Sequence, residues 1–296
     1  MKLDAVEVLF LHYVNGKTEE EALQHDFWLT EYKRDPQHLL NQLINTGAVY
    51  QSYDFSVTLT KFTVPIIKGL LKNSGIKVSG NKKELIARVK EHQEFIDITA
   101  LDISGVYVIN ESLSTFLHDT VFINYINLHG PISIHEAYSY YTENNDMNAS
   151  EIIIALHERK IAESISRPNK YDAVKCHHLL SEYWGNELHD TEQSLYHLNQ
   201  FSMLIILESM KRYQQLEPAM KHNEFFNIDN YTIEKYRNLL LMKQFTINEL
   251  YDQLLEHSKN LPYSEEHITG AAQFIIRYII SSEQSAVKLA EALNDN

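Results

Sequence analysis

Positive charge is concentrated in one short segment of an otherwise acidic chain. The 296-residue sequence carries a formal net charge of −14. Between Lys61 and His92, eight lysines and arginines stand against two glutamates, a formal charge of +6, so the remaining residues carry −20. A positively charged segment within an otherwise negatively charged chain indicates a binding partner of negative charge. The chemistry that this segment predicts is therefore the binding of phosphate groups.

The start of a predicted helix supplies donors for such binding. The pair Asn81-x-x-Glu84 predicts a capping box at this start. The unpaired N–H groups and the positive dipole end of a helix N-terminus suit phosphate. Lys82 and Lys83 follow in the first turn, where the helix dipole disfavours cations, so we interpret them as functional rather than as helix-stabilising. The backbone donors before the helix belong to Ser79, Gly80 and Asn81.

Two helices joined by a turn contain these residues. Thr63 and Pro65 open a helix that we predict to end near Asn73, and a second helix follows the turn SGIKVSGN and ends near His92. The residues from Thr63 to Val89 resemble a SAP domain, a small helix–turn–helix module of DNA-associated proteins. The resemblance covers about a tenth of the chain and depends on Thr63-Val64, Ile67, Leu70, Leu71, Gly75-Ile76, Val78-Ser79-Gly80, Lys82, Lys83, Glu84, Leu85, Ile86 and Arg88.

The resemblance implies binding to duplex DNA, with a preference for A/T-rich tracts and little direct reading of bases. Gly69, within the first helix, departs from the pattern at a cost of ~1 kcal/mol relative to alanine. The alternative is a two-helix spacer whose lysines are only solvated. The candidate DNA-binding residues are Lys68, Lys72, Lys77, Ser79, Gly80, Asn81, Lys82, Lys83 and Arg88.

Residues 37–135 are more loosely similar to SAP-containing proteins encoded by phages and mobile elements of Gram-positive bacteria. The shared order is a short N-terminal helical unit, a SAP-like unit and a segment like GVYVINESLSTFLHDTVFINYINLHGPIS. This similarity implies a biological context but no mechanism.

The segments on either side of the SAP-like unit predict winged-helix-like units. Residues 1–60 contain a helix near Ala5–Val14, a capping box at Thr18-x-x-Glu21, a helix beginning at Pro36, and two β-prone runs, AVYQSY and FSVTLTKF. Residues 96–172 repeat this pattern weakly: a strand ISGVYVI, a helix ending at Gly130, helices capped at Ser133 and Asn148, and a ribbon IAESISRPNKYDAV. Few third-helix side chains are basic, so neither unit is a good candidate for reading DNA.

The last part of the chain predicts a helical bundle. Its helices are expected at about 174–184, 191–216, 232–243, 247–258, 265–280 and 282–293. The predicted fold class is therefore mainly α and multi-domain, with short β ribbons. The predicted domains are 1–60, 61–95 (SAP-like), 96–172 and 173–296.

Histidines and acidic residues offer the only other candidates for chemistry. The cluster Cys176, His177, His178, His189 and His197 lacks the paired spacing of a structural zinc site, so we predict ordinary histidines, with no metal and no cofactor. Glu217, Glu224, Asp229, Glu265 and Glu266 show no spacing that selects a catalytic pair. Phosphate-loop, dinucleotide, nucleophile-elbow and zinc-protease motifs are missing from the sequence. We therefore predict a protein without enzymatic activity.

Three hypotheses follow for the function. The first is a DNA-binding protein of a phage or mobile element, whose C-terminal half oligomerises or recruits a protein partner. The second is an acidic inhibitor that imitates DNA and engages a DNA-binding enzyme. The third is a DNA-processing enzyme, which a metal among His177, His178 and His189 would support. A single cysteine, an N-terminus interrupted by Asp4 and Glu7, and apolar runs too short for a bilayer predict a cytoplasmic protein with no membrane partner.

Overall fold

A computed structural model describes residues 2–99, 101, 103–217 and 226–280. These residues are mainly helical and include one sheet of two strands, which confirms the predicted fold class. The chain divides into two compact units. One comprises the residues up to Leu128 together with Ser133–Ala149, and the other comprises His129–Ile132 together with the residues from Ser150 on. The four predicted domain boundaries stay predictions.

Four helices begin the first unit: α1 (Ala5–Val14), α2 (Glu19–Leu23), α3 (Phe27–Thr30) and α4 (Pro36–Asn45). Asp4 and Thr18 each form a capping box with the glutamate three residues later, which fixes where α1 and α2 begin. Asp35 caps α4 and Pro36 occupies its first turn. The side chains that these helices bury include Phe10, Leu11, Trp28, Leu39, Leu40 and Leu43.

The strand pair of the first unit differs from the predicted ribbon. Strand β1 (Val49–Ser52) pairs antiparallel with β2 (Val106–Ile109), so that Ser52 lies opposite Val106. The run FSVTLTKF is helical instead: α5 (Phe55–Thr58) continues into a short 3-10 helix, Leu59–Lys61. The prediction was wrong because Asp54 accepts a hydrogen bond from the Ser56 N–H and starts a helix, while the apolar side chains of the run join a helical core.

A helical insertion lies between the two paired strands. It contains α6 (Val64–Asn73) and α7 (Lys82–Glu91), followed by a short 3-10 helix, Gln93–Phe95. These bounds confirm the two helices predicted for the SAP-like unit. The insertion has its own hydrophobic core, whose fully buried members include Leu59, Ile67, Leu71, Leu85 and Val89.

After β2 the chain forms a short 3-10 helix, Glu111–Leu113, then α8 (Ser114–Asp119), α9 (Phe122–His129) and α10 (Ile134–Glu143). The sequence predicted one helix through Gly130. The structure breaks it after Asp119, where the Thr120 hydroxyl donates to the Phe116 carbonyl and the Thr120 N–H bonds the same carbonyl. Ser133 caps α10 as predicted.

The helices of the second unit are α11 (Ala149–Ile165), whose first residue belongs to the first unit, α12 (Tyr171–Asn186), α13 (Thr191–Gln215), α14 (Asn230–Lys243), α15 (Ile247–Ser258) and α16 (Glu265–Ile280). Five predicted C-terminal helices are confirmed, and the sixth, at 282–293, lies outside the described residues. The prediction of a β ribbon at IAESISRPNKYDAV was wrong. Ile161 and Ile165, one helical turn apart, pack on the core and keep α11 helical, and Pro168-Asn169 lies in the turn before α12. The second winged-helix-like unit therefore has no ribbon in these residues.

Candidate nucleic-acid interface

The N-terminus of α7 is closed by a reciprocal capping box. The Asn81 Oδ1 accepts a hydrogen bond from the Glu84 N–H at 3.0 Å, and the Glu84 carboxylate accepts one from the Asn81 N–H, also at 3.0 Å. The N–H groups of Lys82 and Lys83, at the first two helical positions, have no acceptor within the helix. Both residues are exposed. The end of α7 therefore leaves the N–H groups of Lys82 and Lys83 without a helical acceptor, whereas the Asn81 N–H, which the sequence analysis named as a donor for phosphate, is bonded to Glu84.

Gly80 provides the backbone conformation that the chain adopts immediately before the N-cap of α7. Its φ is +125°, a region that side-chain-bearing residues rarely adopt. A Cβ at this position would also overlap the carboxylate of Glu84, the partner in the capping box. The glycine is therefore needed for both the backbone geometry and the cap.

Arg88 fixes the loop in front of α7. Its Nη1 donates to the Lys77 carbonyl oxygen at 2.7 Å and to the Ser79 carbonyl oxygen at 3.0 Å. The side chain is half-buried. Sequence reasoning placed Arg88 among the DNA-contacting residues, whereas these two bonds direct its guanidinium at the protein's own backbone. A direct role of Arg88 in DNA contact stays a prediction.

Two other lysines of the basic segment also contact the protein. Lys82 donates from Nζ to the Thr60 carbonyl oxygen at 2.8 Å. Lys61 forms an ion pair with Glu21 of α2, which lowers the pKa of that carboxyl. The charge of Lys61 is therefore compensated, and Lys82 offers solvent its backbone N–H while its ammonium is engaged.

Five lysines of the segment form neither an ion pair nor a side-chain hydrogen bond with a residue that the structure describes. They are Lys68, Lys72, Lys77, Lys83 and Lys90, and all are exposed. Lys68 and Lys72 are four residues apart on α6 and so share one helical face. Lys77 lies in the loop that Arg88 fixes, and Lys83 lies in the first turn of α7. The structure thus places an exposed positive surface on this insertion.

The histidine cluster does not form a comparable site. The Nδ1 atoms of His177 and His197 lie 3.0 Å apart in the second unit, and both side chains are buried. Burial lowers the pKa of His177 to about 3 and that of His197 to about 4. His178 packs on the ring of Phe201 instead. Within the described ranges, no three histidine, cysteine or carboxylate side chains are placed to hold a metal ion.

None of the described helices combines the length and the apolar character needed to cross a bilayer.

Comparison with known protein families identifies the insertion. Residues 58–94 match the SAP domain, a nucleic-acid-binding module, which confirms the resemblance seen in residues 63–89. No curated protein and no solved structure shows significant similarity to the chain. The phage or mobile-element context therefore stays a prediction.

Proposed function

We propose that this protein binds duplex DNA through its SAP domain and acts as a binding protein rather than an enzyme. The observation that carries the proposal is the exposed N-terminus of α7, with free N–H groups at Lys82 and Lys83, inside a module of nucleic-acid-binding type. Backbone donors at a helix N-terminus and nearby ammonium groups suit phosphate oxygens. Such contacts orient the domain on the DNA backbone.

The charge arrangement favours recognition of the backbone over recognition of base sequence. The uncompensated side chains of the insertion are lysines, which bind phosphate as point charges. Sequence reading in the major groove relies instead on arginine or amide side chains in bidentate contacts. The domain's one arginine, Arg88, is bonded to Lys77 and Ser79. We therefore expect any A/T preference to come from the shape of the DNA.

The second unit offers a surface for a protein partner or a second copy of the chain. Leu241 and Met242, adjacent near the end of α14, are 77% and 72% exposed. Large apolar side chains that stay exposed are candidates for contact with protein. In this proposal the SAP domain supplies attachment to DNA, and the second unit contacts protein.

The test is fluorescence anisotropy of a labelled duplex, titrated with the full chain across a salt series. The variant Lys82→Glu/Lys83→Glu removes two basic side chains at the N-terminus of α7. Its matched control is Lys259→Glu/Arg277→Glu, which makes the same change of charge at two exposed positions in the second unit. We expect the first variant to weaken binding by about tenfold or more and to lower the slope of log K against log salt by about 0.9 per lost phosphate contact.

The control variant is expected to bind duplex nearly as tightly as the unchanged chain. Equal weakening by both variants would show that only the net charge matters, which contradicts a site at α7. No duplex binding by the unchanged chain at low salt would refute the proposal outright. In that case the leading hypothesis becomes the acidic inhibitor. Such an inhibitor would engage a DNA-binding enzyme through the residues outside Lys61–His92, whose formal net charge is −20.

A further inference from the structure

A groove in the second unit lies between the turn that joins α11 to α12 and the last turns of α13. Its main cavity has a volume of about 640 Å³, and its wall includes Tyr171 and Ser209. A second cavity, of about 450 Å³, shares Pro168, Asn169 and Tyr171 with the first. Sites for small ligands typically measure roughly 300–1,000 Å³. Each of the two cavities that Tyr171 lines therefore has room for a small ligand.

Tyr171 gives this groove an aromatic platform. The residue begins α12 and is 64% exposed, although a tyrosine ring is largely apolar. It lines both cavities, and in the main cavity it is joined by the apolar side chains of Val174 and Ile205, which pack against the core of the unit. An exposed aromatic ring with open space around it is the arrangement on which unpaired bases stack.

The charges of the main cavity favour an anion. Its one carboxylate is Glu208, which forms an ion pair with the buried Lys170 at 3.6 Å and accepts a hydrogen bond from the Tyr263 hydroxyl. Lys211 and Arg212 are exposed, and neither forms an ion pair with a described residue. Among the described residues, the groove therefore has two positive charges without an ion-pair partner.

This positive charge contrasts with the sequence around it. Residues 150–296 contain 21 acidic and 14 basic side chains, a formal charge of −7. The second cavity adds Arg167, whose side chain is 59% exposed and lies 4.0 Å from Glu163, a carboxylate that Arg159 also approaches. The second cavity also contains a carboxylate, Asp172, which forms an ion pair with Lys160 at 3.8 Å. The cations without an ion pair therefore line the main cavity, and Arg167 adds one partly paired cation in the second.

We propose that this groove binds nucleoside phosphates, with a base stacked on Tyr171 and phosphate groups bound by Lys211 and Arg212. The two cavities that share Tyr171 suit successive nucleotides of one unpaired strand, with Arg167 near the second phosphate. Single-stranded nucleic acid is bound by this combination of an aromatic platform and a positive groove. The site is separate from the SAP domain, and it goes beyond duplex binding.

The experiment uses the full chain carrying Lys82→Glu/Lys83→Glu, so that the SAP site does not contribute. A labelled oligothymidine is titrated by fluorescence anisotropy, and thymidine monophosphate is used as a competitor. Three changes are compared in this background: Lys211→Glu/Arg212→Glu, Tyr171→Ala, and Tyr171→Phe, which keeps the ring. Lys259→Glu/Arg277→Glu is the charge-matched control. Circular dichroism verifies that every variant is folded.

We expect the groove charge change and Tyr171→Ala each to weaken oligothymidine binding by about tenfold, while Tyr171→Phe and the control keep it. If the monophosphate displaces the strand at a concentration similar to that of the strand, the groove is assigned to free nucleotides. If displacement needs a much higher concentration of monophosphate, the groove is assigned to a strand. Oligothymidine binding that is unchanged in Tyr171→Ala, or lost equally in the control, would overturn the proposal. Because the SAP site is disabled throughout, failure here is distinct from failure of duplex binding.

Discussion

Arg88 and Ser79 are joined by a hydrogen bond of 3.0 Å from the guanidinium Nη1 to the Ser79 carbonyl oxygen, and the same nitrogen bonds the Lys77 carbonyl oxygen at 2.7 Å. A side chain from within α7 therefore holds the loop that leads into α7. The loop and the helix end move together, so Gly80 and the first N–H groups of the helix keep one geometry. We expect this bond to position the DNA-binding surface rather than to contact DNA.

Arg88→Ala tests this role through the salt dependence of duplex binding. Loss of the two bonds frees the loop, so we expect affinity to fall by about fivefold, equivalent to about 1 kcal/mol. The salt slope should stay unchanged because no phosphate contact is lost. Lys83→Ala is the control, with an expected decrease of about 0.9 in the slope. A similar decrease in Arg88→Ala would show that Arg88 contacts phosphate.

Arg88→Lys separates charge from geometry at the same position. Lysine keeps the positive charge but lacks the planar, rigid group of donors. We expect it to weaken duplex binding almost as much as alanine does, in the same anisotropy titration. Full affinity in Arg88→Lys would mean that charge alone is required at this position.

Gly80→Ala is expected to loosen the start of α7. The backbone at φ +125° disfavours a side chain by about 1–3 kcal/mol, and the added Cβ would displace the Glu84 carboxylate from the capping box. The measurement is hydrogen exchange of the α7 amides, which should become faster. Asn81→Ser, which keeps a capping oxygen, is the matched variant and should exchange at nearly the native rate. Equal exchange in both variants would argue against a special requirement for glycine.

The buried pair His177 and His197 predicts a loss of stability in mild acid. Burial keeps both pKa values low, at about 3 and about 4, against about 6.5 when exposed. Below pH 6.5 the unfolded chain takes up protons that the folded chain does not, so the free energy of unfolding decreases as the pH falls from about 6.5 toward 4. Each histidine contributes at most about 1.4 kcal/mol per pH unit.

Urea unfolding monitored at pH 7, 6 and 5 measures this effect. The variant His177→Gln keeps a polar side chain but removes one titrating group, so the dependence of its unfolding free energy on pH should be shallower. His118→Gln is the control, because that histidine is exposed on α8. A pH dependence as steep in His177→Gln as in the unchanged chain would contradict this assignment.

Features set by neighbours in the sequence were predictable. The capping box of Asn81 and Glu84 and the capping box at Thr18 each involve residues three apart, and the structure contains both. The SAP helices were found for the same reason, because helical spacing of apolar side chains and an N-cap define them locally.

Features set by distant contacts were not predictable. The run from Phe55 to Phe62 contains β-prone residues, but its large side chains pack with Ile67 and Leu85 of the insertion, so tertiary packing favours helix. The partner of β1 is β2, which follows the insertion in the sequence. Nothing in the residues around β1 indicates that its partner lies so far along the chain. In the candidate site, the charge of Arg88 could be predicted from the sequence. The orientation of its guanidinium could not, because it depends on where the carbonyl oxygens of the loop lie.

The pairing of β1 with β2 predicts that the insertion can be deleted without unfolding the remaining helices. Ser52 and Val106 are opposite each other at the end of the strand pair, so a two-residue Asn-Gly turn in place of residues 53–105 can join them as a tight hairpin. We expect the shortened chain to keep its helical circular dichroism apart from the deleted helices, and to lose duplex binding. Loss of the remaining helical signal would show that the N-terminal helices need the insertion to fold.

The strand pair also has a consequence for the order of folding. Val49 and Ile109 are partners although 59 residues separate them, and β2 emerges from the ribosome after the whole insertion. Closing so long a loop costs entropy unless the intervening chain has already become compact. The insertion has its own core and local helices, so it can collapse first and bring the two strands together. During synthesis, the SAP module would then complete its fold before the sheet that flanks it.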